Sequence, residues 1–200
     1  MSPFPDAIAL ASRNRGKIEE ILAICADWPV RWVTALEDPD SWPHVEETGE
    51  TYLDNALLKA KAVAEATALA ALSDDSGIEV DALGGAPGMH SARFAGPNAS
   101  DEENLAKLIE GVSDVPEPDR TARYRCVAAL YRADGSVQWA EGTCEGRLIT
   151  EPRGSGGFGY DPVFVPHGEA RTMGELSPEE KNRISHRARA LRSLGERLAG

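Results

Sequence analysis

Cysteine is scarce in this sequence and long apolar runs are absent, and each shortage excludes a class of protein. Among 200 residues there are three cysteines, Cys25, Cys126 and Cys144, far apart along the chain. They form neither a disulfide framework nor a zinc-ligand spacing, so we expect reduced thiols in the core. The longest apolar run, Ala66 to Leu72, is much shorter than the ~20 residues that a membrane-spanning helix needs.

Basic residues are also few. Lysine and arginine together number 21 against 33 aspartates and glutamates, which gives a formal net charge of −12. This excess of acid argues against nucleic acid as a partner bound through a basic face. The N-terminus lacks a basic segment followed by an apolar one, so we do not expect a signal peptide. These features predict a cytoplasmic protein with neither nucleic acid nor membrane as a partner.

The polar loop Ser12–Lys17 is the first candidate ligand site. It lies between residues 7–11, an apolar run that predicts a buried strand, and a helical pattern that begins at Ile18. The N–H groups and the positive dipole at a helix N-terminus suit a phosphate. The loop is not a Walker A sequence, because the first glycine is missing and an isoleucine follows Lys17. An ordinary helix start with solvated cations explains this segment equally well.

The next segment predicts a strand near Val30 to Thr34, a long loop and a helix from about Thr51 to Ala71. Small apolar residues recur along this helix at helical spacing. Asn55 and Lys59 lie in its first turns, and Glu46-Glu47-Thr48-Gly49 precedes it. Acidic residues near a helix start also complement its dipole, and Lys59 also fits a solvated surface lysine.

The segment Asp74-Asp75-Ser76-Gly77 sets two adjacent carboxylates among turn-forming residues. Taken alone, it favours a surface turn between two strands, since Asp, Ser and Gly are all common in turns. The alternative is a metal site. Buried carboxylates lose hydration and repel each other, and a divalent cation with a phosphate-bearing ligand would compensate both effects.

The second half of the chain predicts a helix and a hairpin. Ser100 and Glu103 form a capping box at the start of the helix, and Gly111 is placed to end it. The dipeptide Asp134-Gly135 joins two strand-like runs and is a strong signal for a hairpin turn.

A glycine-rich loop over residues 154–162 follows the hairpin. Its glycines allow the backbone to approach a ligand closely. Phe158 and Tyr160 lie among these glycines, and aromatic rings in such a loop either stack on a planar ligand or fill the core. The sequence favours neither alternative.

The C-terminal region predicts two helices with a break between them. Ser177-Pro178 begins the first helix as N-cap and first helical residue. At about 100° per residue, Lys181 and His186 on one continuous helix would point about 140° apart and could not meet at one ligand. We therefore predict a break within residues 182–185, with Ser185 as the cap of a second helix and His186 in its first turn.

Six motif-like stretches are spread over the whole chain. They are S/T-x-N-x-x-K in residues 10–17, E-E-T-G through N-A-x-x-K in 46–59, D-D-S-G-x-x-V in 73–80, G-G-A-P-G-x-x-S-A-R in 84–93, G-G-F-G-Y-D-P-x-F in 156–164 and K-x-x-x-S-H-R-x-x-A in 181–190. Together they resemble the inosine triphosphate pyrophosphatase family, house-cleaning enzymes that remove non-standard purine nucleotides. Each motif is weak alone, but six in the family's order are highly specific. Arg13, where many members have glycine, and His90, where tyrosine is common, depart from the pattern.

This resemblance implies an activity and a fold. The activity is Mg²⁺-dependent hydrolysis of ITP, dITP and XTP to the nucleoside monophosphate and pyrophosphate, carried out by a homodimer. The fold is α/β, with an elongated mixed β-sheet flanked by helices. It forms a single domain over residues 1–200, in two lobes with the active-site cleft between them.

The resemblance also implies roles for individual residues. Glu46 and Asp75 would hold the metal, and Asp75 would accept the proton of the attacking water. Asp74, Asn55 and Lys59 are predicted as supporting residues. The residues expected to contact the substrate are Ser12, Arg13, Asn14, Arg15, Gly16 and Lys17 at the phosphates, Ser76 beside the metal site, and Phe158, Gly159, Tyr160, Asp161, Lys181, His186 and Arg187, largely around the base.

Physical reasoning supports these roles and disfavours two alternatives. Donors from His186 and Arg187 would favour purines with an acceptor at O6 over adenine, which carries an amino group there. A nucleotide-binding protein without activity has no need of an acidic cluster beside a phosphate loop. A phosphatase with an aspartyl nucleophile usually has D-x-D spacing, whereas Asp74 and Asp75 are adjacent.

Overall fold

The fold is built on a mixed β-sheet. The computed structural model describes residues 4–36 and 42–200, and in this part of the chain the sheet has six strands in the order β2-β1-β3-β4-β5-β6. Strand β1 is parallel to β2 and to β3, whereas β5 and β6 are antiparallel. The predicted α/β class with a mixed sheet is therefore confirmed. The strands are β1 (Ala7–Leu10), β2 (Arg31–Val33), β3 (Ala70–Val80), β4 (Thr121–Tyr131), β5 (Val137–Leu148) and β6 (Phe164–Pro166).

The α-helices begin at polar caps. The predicted capping boxes at Ser100 and Ser177 are confirmed, and a third capping box lies at Thr51. Helix α3 continues past Gly111 to Val112, so the predicted end at the glycine is wrong by a short margin. The α-helices of the described residues are α1 (Arg15–Ile24), α2 (Tyr52–Thr67), α3 (Asp101–Val112), α4 (Pro178–Ile184) and α5 (His186–Ala199).

Strand β3 runs without interruption through Asp74-Asp75-Ser76-Gly77, so the predicted turn at this point is wrong. Residues 70–80 form a single strand that is largely buried. Turn propensity acts locally and is weak, whereas burial and pairing with β1 act along the strand and override it. The two carboxylates therefore lie within a strand and not at the tip of a loop.

Helix α2 ends at Thr67, four residues before its predicted end at Ala71. Ala68 has a φ of 57°, in the left-handed region that commonly terminates helices. Alanine is the best helix former, which explains why the sequence pattern extends further. In the structure Ala70 and Ala71 pair with β1 as part of β3.

The predicted break before His186 is confirmed. Helix α4 ends at Ile184, Ser185 has an extended backbone with ψ of 155°, and α5 begins at His186. The hairpin at Asp134-Gly135 is also present, as the connection between the neighbouring strands β4 and β5.

Smaller predictions have mixed outcomes. Strand β2 lies within the segment predicted as a strand. The three cysteines are buried and free, as expected. No helix among the described residues is both long and apolar enough to span a membrane. Residues 37–41 of the predicted long loop lie outside the described residues.

The chain divides into two compact units. The first contains the described residues up to Asp75 together with 126–142 and 187–200. Its principal core is built from β1, α1 and α5 with parts of β3, β4 and β5. Residues at the centre of this core are Ile8, Leu10, Ile18, Ile21, Leu72, Leu130, Leu191 and Leu194.

The second unit contains residues 76–125 and 143–186. Its core combines the C-terminal end of β3 with α3, β6 and the first half of β4. The central residues are Ile78, Val80, Leu108, Val112, Tyr124, Tyr160, Val163 and Phe164.

Replacing Gly77 with Ala is expected to destabilise the second unit. A Cβ atom at this position would lie 2.1 Å from the Gly88 carbonyl oxygen and 2.8 Å from Ser91 Oγ. Because the nearest atom belongs to the backbone, we expect the free energy of unfolding to fall by about 1–3 kcal/mol in urea titrations. Gly111→Ala is the control, since its Cβ would meet Leu83 at 3.5 Å and should stabilise α3 by roughly 0.5–1 kcal/mol. Equal effects of the two substitutions would contradict this packing.

Candidate active site

Asp74 and Asp75 are buried neighbours on β3 that contact different partners. They are 3% and 4% exposed. Successive side chains on a strand point to opposite faces. Accordingly, Asp74 contacts Lys17 and Arg187, whereas Asp75 contacts Lys59. The two adjacent carboxylates therefore have separate surroundings.

Asp74 is held as an anion by two cations. Its Oδ2 accepts a hydrogen bond from Arg187 Nε at 3.1 Å and lies 3.4 Å from Lys17 Nζ. Burial alone would raise the pKa of Asp74, but the charges of Lys17 and Arg187 lower it far below its usual range. Asp74 therefore stays ionised and anchors the Lys17 side chain.

Arg187 is the largest fully buried side chain among the described residues. Its guanidinium donates to Asp74 and to Glu20 on α1. The guanidinium is therefore enclosed and bonded to two carboxylates, and its predicted contact with the nucleotide stays a prediction.

Asp75 has a weaker set of partners than Asp74. Its Oδ1 accepts from Lys59 Nζ at 3.1 Å, and its Oδ2 accepts from Asn55 Nδ2 at 3.4 Å. Burial raises the pKa of Asp75, and the opposing charge of Lys59 does not cancel this effect. The pKa values of the two neighbouring carboxyl groups are therefore shifted in opposite directions, an arrangement typical of sites that perform acid–base chemistry.

Lys59 joins Asp75 to the segment that precedes α2. Its Nζ donates to Glu47 Oε1 at 2.7 Å as well as to Asp75. Burial alone would lower the pKa of Lys59, but the carboxylates of Asp75 and Glu47 raise it. Asn55 strengthens the same connection, because its Oδ1 accepts from the Gly49 N–H at 2.8 Å. Glu46, the predicted metal ligand, is exposed beside Glu47.

The donor set around Asp75 fits a hard divalent cation. Asp75, the predicted second ligand Glu46 and its neighbour Glu47 all supply carboxylate oxygens, which Mg²⁺ prefers. Asp75 and Glu47 contact the Lys59 ammonium in this structure. Within residues 4–36 and 42–200, no three His, Cys, Asp or Glu side chains form a group that could hold a metal. Mg²⁺ commonly takes one or two carboxylates together with phosphate oxygens of a substrate, so two ligands suffice.

The predicted phosphate loop is partly helical. Helix α1 begins at Arg15, and the Asn14 side chain caps it by accepting from the Lys17 N–H at 3.0 Å. Ser12 Oγ accepts from the Asn14 N–H at 3.2 Å, which fixes the entry into the helix. Arg15 is exposed and bonded to Glu19 at 2.8 Å. Lys17 of this loop lies against the buried carboxylate of Asp74.

Asp161 organises the predicted base-binding residues within the second unit. Its Oδ2 accepts from Lys181 Nζ at 2.6 Å and from the Phe158 N–H at 3.0 Å. Its Oδ1 accepts from the Tyr124 hydroxyl at 3.3 Å. The residue is buried, so the structure places Asp161 as an anchor for its neighbours. Its predicted contact with the nucleotide stays a prediction.

The two aromatic residues of the glycine-rich loop have different roles. Tyr160 is buried in the core of the second unit, and its hydroxyl donates to the Ser91 carbonyl at 2.7 Å. Burial raises the pKa of Tyr160, so it stays neutral. Phe158 is half-buried, and its ring centroid lies 4.9 Å from Lys181 Nζ. Tyr160 therefore fills the core, and Phe158 is the ring that fits stacking on a ligand.

His186 stacks on Tyr124. The two ring centroids are 4.6 Å apart and the rings are inclined by 8°. His186 is also buried, at the first residue of α5. The second unit thus brings together the predicted residues Phe158, Asp161, Lys181 and His186 through a chain of contacts that includes Tyr124.

Sequence reasoning missed several of these contacts. Glu20, the partner of Arg187, lies three residues after Lys17 on α1, a spacing that places both on one helix face and could have been noticed. Tyr124 and Asp101 have no local signal. Asp101 accepts from the Gly159 N–H at 3.0 Å, across 58 residues of sequence.

Solved structures share this α/β fold. The HAM1 protein of Coxiella burnetii matches with a TM-score of 0.85 at 42% identity, over 96% of this chain and 98% of that chain. The Ham1 protein of Staphylococcus aureus matches with a TM-score of 0.82 at 40% identity, over 96% and 97% of the two chains. The fold is thus that of HAM1 proteins.

The family follows from the sequence comparison. The model of the Ham1 family matches residues 8–197, and the chain belongs to this family. A Geobacillus kaustophilus protein named dITP/XTP pyrophosphatase is 47% identical over 189 residues, which are 94% of this chain and 92% of the relative. A Streptomyces coelicolor protein of the same name is 50% identical over 190 residues, 94% of each chain. The resemblance carried by the six motifs is confirmed.

Proposed function

We propose that the chain hydrolyses the non-standard purine nucleoside triphosphates ITP, dITP and XTP to the monophosphate and pyrophosphate, and so keeps them out of DNA and RNA. The observation that carries this proposal is the pair of buried carboxylates Asp74 and Asp75 on β3, each in contact with a lysine amine, Lys17 and Lys59 respectively. The name of the relatives, dITP/XTP pyrophosphatase, supports the same activity.

In this proposal the lysines of the first unit, Lys17 and Lys59, and the start of α1 bind the triphosphate. Lys17 and Lys59 each contact a buried carboxylate, and phosphate oxygens would compete for the same ammonium groups. The start of α1 adds backbone N–H groups and the positive end of the helix dipole, which favour a phosphate near residues 12–17. Charge on the pyrophosphate leaving group is stabilised by the same cations.

Mg²⁺ is proposed as the cofactor, with Asp75 and Glu46 as its protein ligands. When bound, the ion would neutralise negative charge on the phosphates and make the phosphorus easier to attack. Glu47 and Lys59 are the neighbours that would hold the Asp75 carboxylate in place.

Asp75 is proposed as the acceptor of the proton from the water that attacks the α-phosphorus. Its raised pKa makes it a better base than an ordinary aspartate, because burial destabilises the charged form. Asn55 and Lys59 each contact one of its oxygens, and so they fix its orientation. Water that loses a proton to Asp75 becomes the oxygen of the new monophosphate.

The second unit is proposed to bind the purine base. Phe158 would stack on the ring, and Lys181 and His186 are the candidate donors to the O6 acceptor of hypoxanthine or xanthine. Adenine carries an amino donor at this position, and a buried donor left without an acceptor is costly. This difference would make ATP a poor substrate.

Homodimer formation and a cytoplasmic location are proposed on the same family resemblance. Light scattering on the purified protein measures the first directly. A molar mass near twice the 21.4 kDa of the chain would support the dimer, and the mass of one chain would contradict it.

Separate substitutions Glu46→Gln and Glu47→Gln test the metal ligand. We expect E46Q to raise the Mg²⁺ concentration needed for half-maximal activity by roughly tenfold, because one anionic oxygen ligand is lost. E47Q should raise it less, since Glu47 contacts Lys59. Activity against Mg²⁺ concentration is measured for both proteins. A larger effect of E47Q would transfer the metal role to Glu47.

A substrate panel tests the proposed function. The protein is incubated with ITP, dITP, XTP, ATP and GTP in Mg²⁺, and the products are separated by ion-exchange chromatography. Monophosphate and pyrophosphate from ITP, dITP and XTP would support the proposal. Orthophosphate would indicate a phosphatase, and binding without any product would indicate a nucleotide-binding protein; either result would overturn it.

A further inference from the structure

We infer that Tyr124 is a positioning residue that determines the selectivity of the base site, through His186. The inference rests on the proposed role of His186 as a donor to the base. The two rings lie nearly parallel, 8° apart in inclination with centroids 4.6 Å apart. An imidazole stacked flat on a fixed ring has its N–H directions set by that ring, which is what a directional hydrogen bond to a base requires.

The position of Tyr124 is itself fixed. It lies on β4, is 7% exposed, and packs edge-on against Phe164 with centroids 4.8 Å apart and an interplanar angle of 65°. A ring held by a strand and by a second aromatic side chain has little freedom to tilt. His186, by contrast, is the first residue of α5, where a helix end alone would leave its side chain less constrained.

Tyr124 also connects His186 with the other residues of the proposed base site. Its hydroxyl donates to Asp161 Oδ1 at 3.3 Å, and Asp161 Oδ2 holds Lys181 and the Phe158 N–H. The Tyr124 ring thus orients His186. Its hydroxyl contacts Asp161, the carboxylate that anchors Lys181. We expect the planar face of Tyr124 to affect selectivity more than its hydroxyl does, because the hydrogen bond from the hydroxyl to Asp161 is long.

The experiment measures kcat and KM for ITP and ATP with Y124L, Y124F, H186A and the double variant H186A/Y124L. We expect Y124L to lower the ITP-to-ATP ratio of kcat/KM by about tenfold, mainly through a higher KM for ITP, because it removes the planar face. Y124F keeps that face and should hold the ratio within about threefold. The double variant should have the same ratio as H186A, since Tyr124 acts through His186.

A matched control separates this role from a loss of packing. Tyr131 lies on the same strand but packs against a core of the first unit, so Y131L should leave the ITP-to-ATP ratio unchanged. Circular dichroism checks folding of each variant. If Y124L does not fold, Y124M replaces it, because the longer and more flexible methionine side chain adapts better to the space of the ring without offering a planar face.

The outcomes for Tyr124 and for the proposed function are distinguishable. A parent protein that prefers ITP together with an unchanged ratio in Y124L would overturn the inference and leave the function standing. Equal additional losses from Y124L in the parent and in H186A would also overturn it, because Tyr124 would then act independently of His186. A parent protein without turnover of ITP would overturn both.

Discussion

Replacing Asp75 with Asn is expected to lower kcat for ITP by about 10²–10⁴-fold, the usual contribution of a general base, while ITP binding changes little. The amide cannot accept the proton of the attacking water. It keeps nearly the same shape and one acceptor oxygen, so Lys59 can keep its hydrogen bond at this position, and the contact of Lys17 with Asp74 is not altered. Stopped assays give kcat, and calorimetry gives the affinity for ITP.

Asp74→Asn is the matched control for this prediction, since it makes the same chemical change one residue away. Asp74 contacts Lys17 and Arg187 and is not proposed to accept a proton. D74N should therefore retain more turnover than D75N under conditions in which both are folded. Turnover of D75N close to that of the parent protein would remove Asp75 from the role of base.

Asp74→Asn is expected to have the largest effect on stability. At pH 7 we expect the free energy of unfolding to fall by about 3–5 kcal/mol, the range for breaking a buried ion pair. The substitution removes one of the two carboxylates, Asp74 and Glu20, that pair with the fully buried Arg187 guanidinium. It also leaves Lys17 facing a neutral amide. Urea titration at equilibrium measures the change.

The stability difference between D74N and the parent protein should depend on pH. Because the pKa of Asp74 is lowered in the folded state, its ionised form stabilises the fold above the usual aspartate pKa of about 3.9. This contribution decreases as the pH falls below about 4 towards the lower folded-state value. The difference should therefore be largest near neutrality and shrink in acid. A difference independent of pH would contradict the ionised Asp74.

The effect of D75N on the free energy of unfolding should have the opposite sign to that of D74N. Because burial raises the pKa of Asp75 in the folded state, ionisation of this group reduces stability as the pH rises through the raised value. An amide removes that cost, so we expect D75N to be as stable as the parent protein or more stable at pH 7. A site that gains stability when its chemistry is removed is typical of catalytic groups. Equal destabilisation by D74N and D75N would contradict the separation of the two carboxylates.

Local signals were sufficient for much of the fold. The capping boxes at Ser100 and Ser177, the hairpin at Asp134-Gly135 and the break before His186 depend on residues within a few positions of each other, and all are present. The break was predicted from geometry, because Lys181 and His186 could not serve one ligand from a continuous helix. Local rules therefore performed well wherever the determining contacts are local.

Strand β3 shows where local rules fail. Asp, Ser and Gly favour a turn, but the charges that permit Asp74 to be buried come from Lys17 and Arg187, far away along the chain. The predicted end of α2 is wrong for a related reason, because Ala70 and Ala71 pair with β1 and so belong to the sheet. Long-range partners override propensity in both cases.

The motifs named candidate residues for the site but not the contacts among them. The motifs gave Asp75, Lys59 and His186, and the structure gives each a partner. The motifs could not show that the Arg187 side chain lies in buried ion pairs, because these depend on Glu20 and Asp74, which are far from Arg187 in the sequence. Nor could they show that Tyr124 stacks on His186.

The destination of the water oxygen tests the proposed chemistry most directly. ITP is hydrolysed by the parent protein in water enriched in ¹⁸O, with Mg²⁺ present, and the products are analysed by mass spectrometry. Attack on the α-phosphorus with Asp75 as proton acceptor predicts the label in inosine monophosphate and unlabelled pyrophosphate, with the same distribution formed about 10²–10⁴-fold more slowly by D75N. Label in pyrophosphate or release of orthophosphate would contradict it.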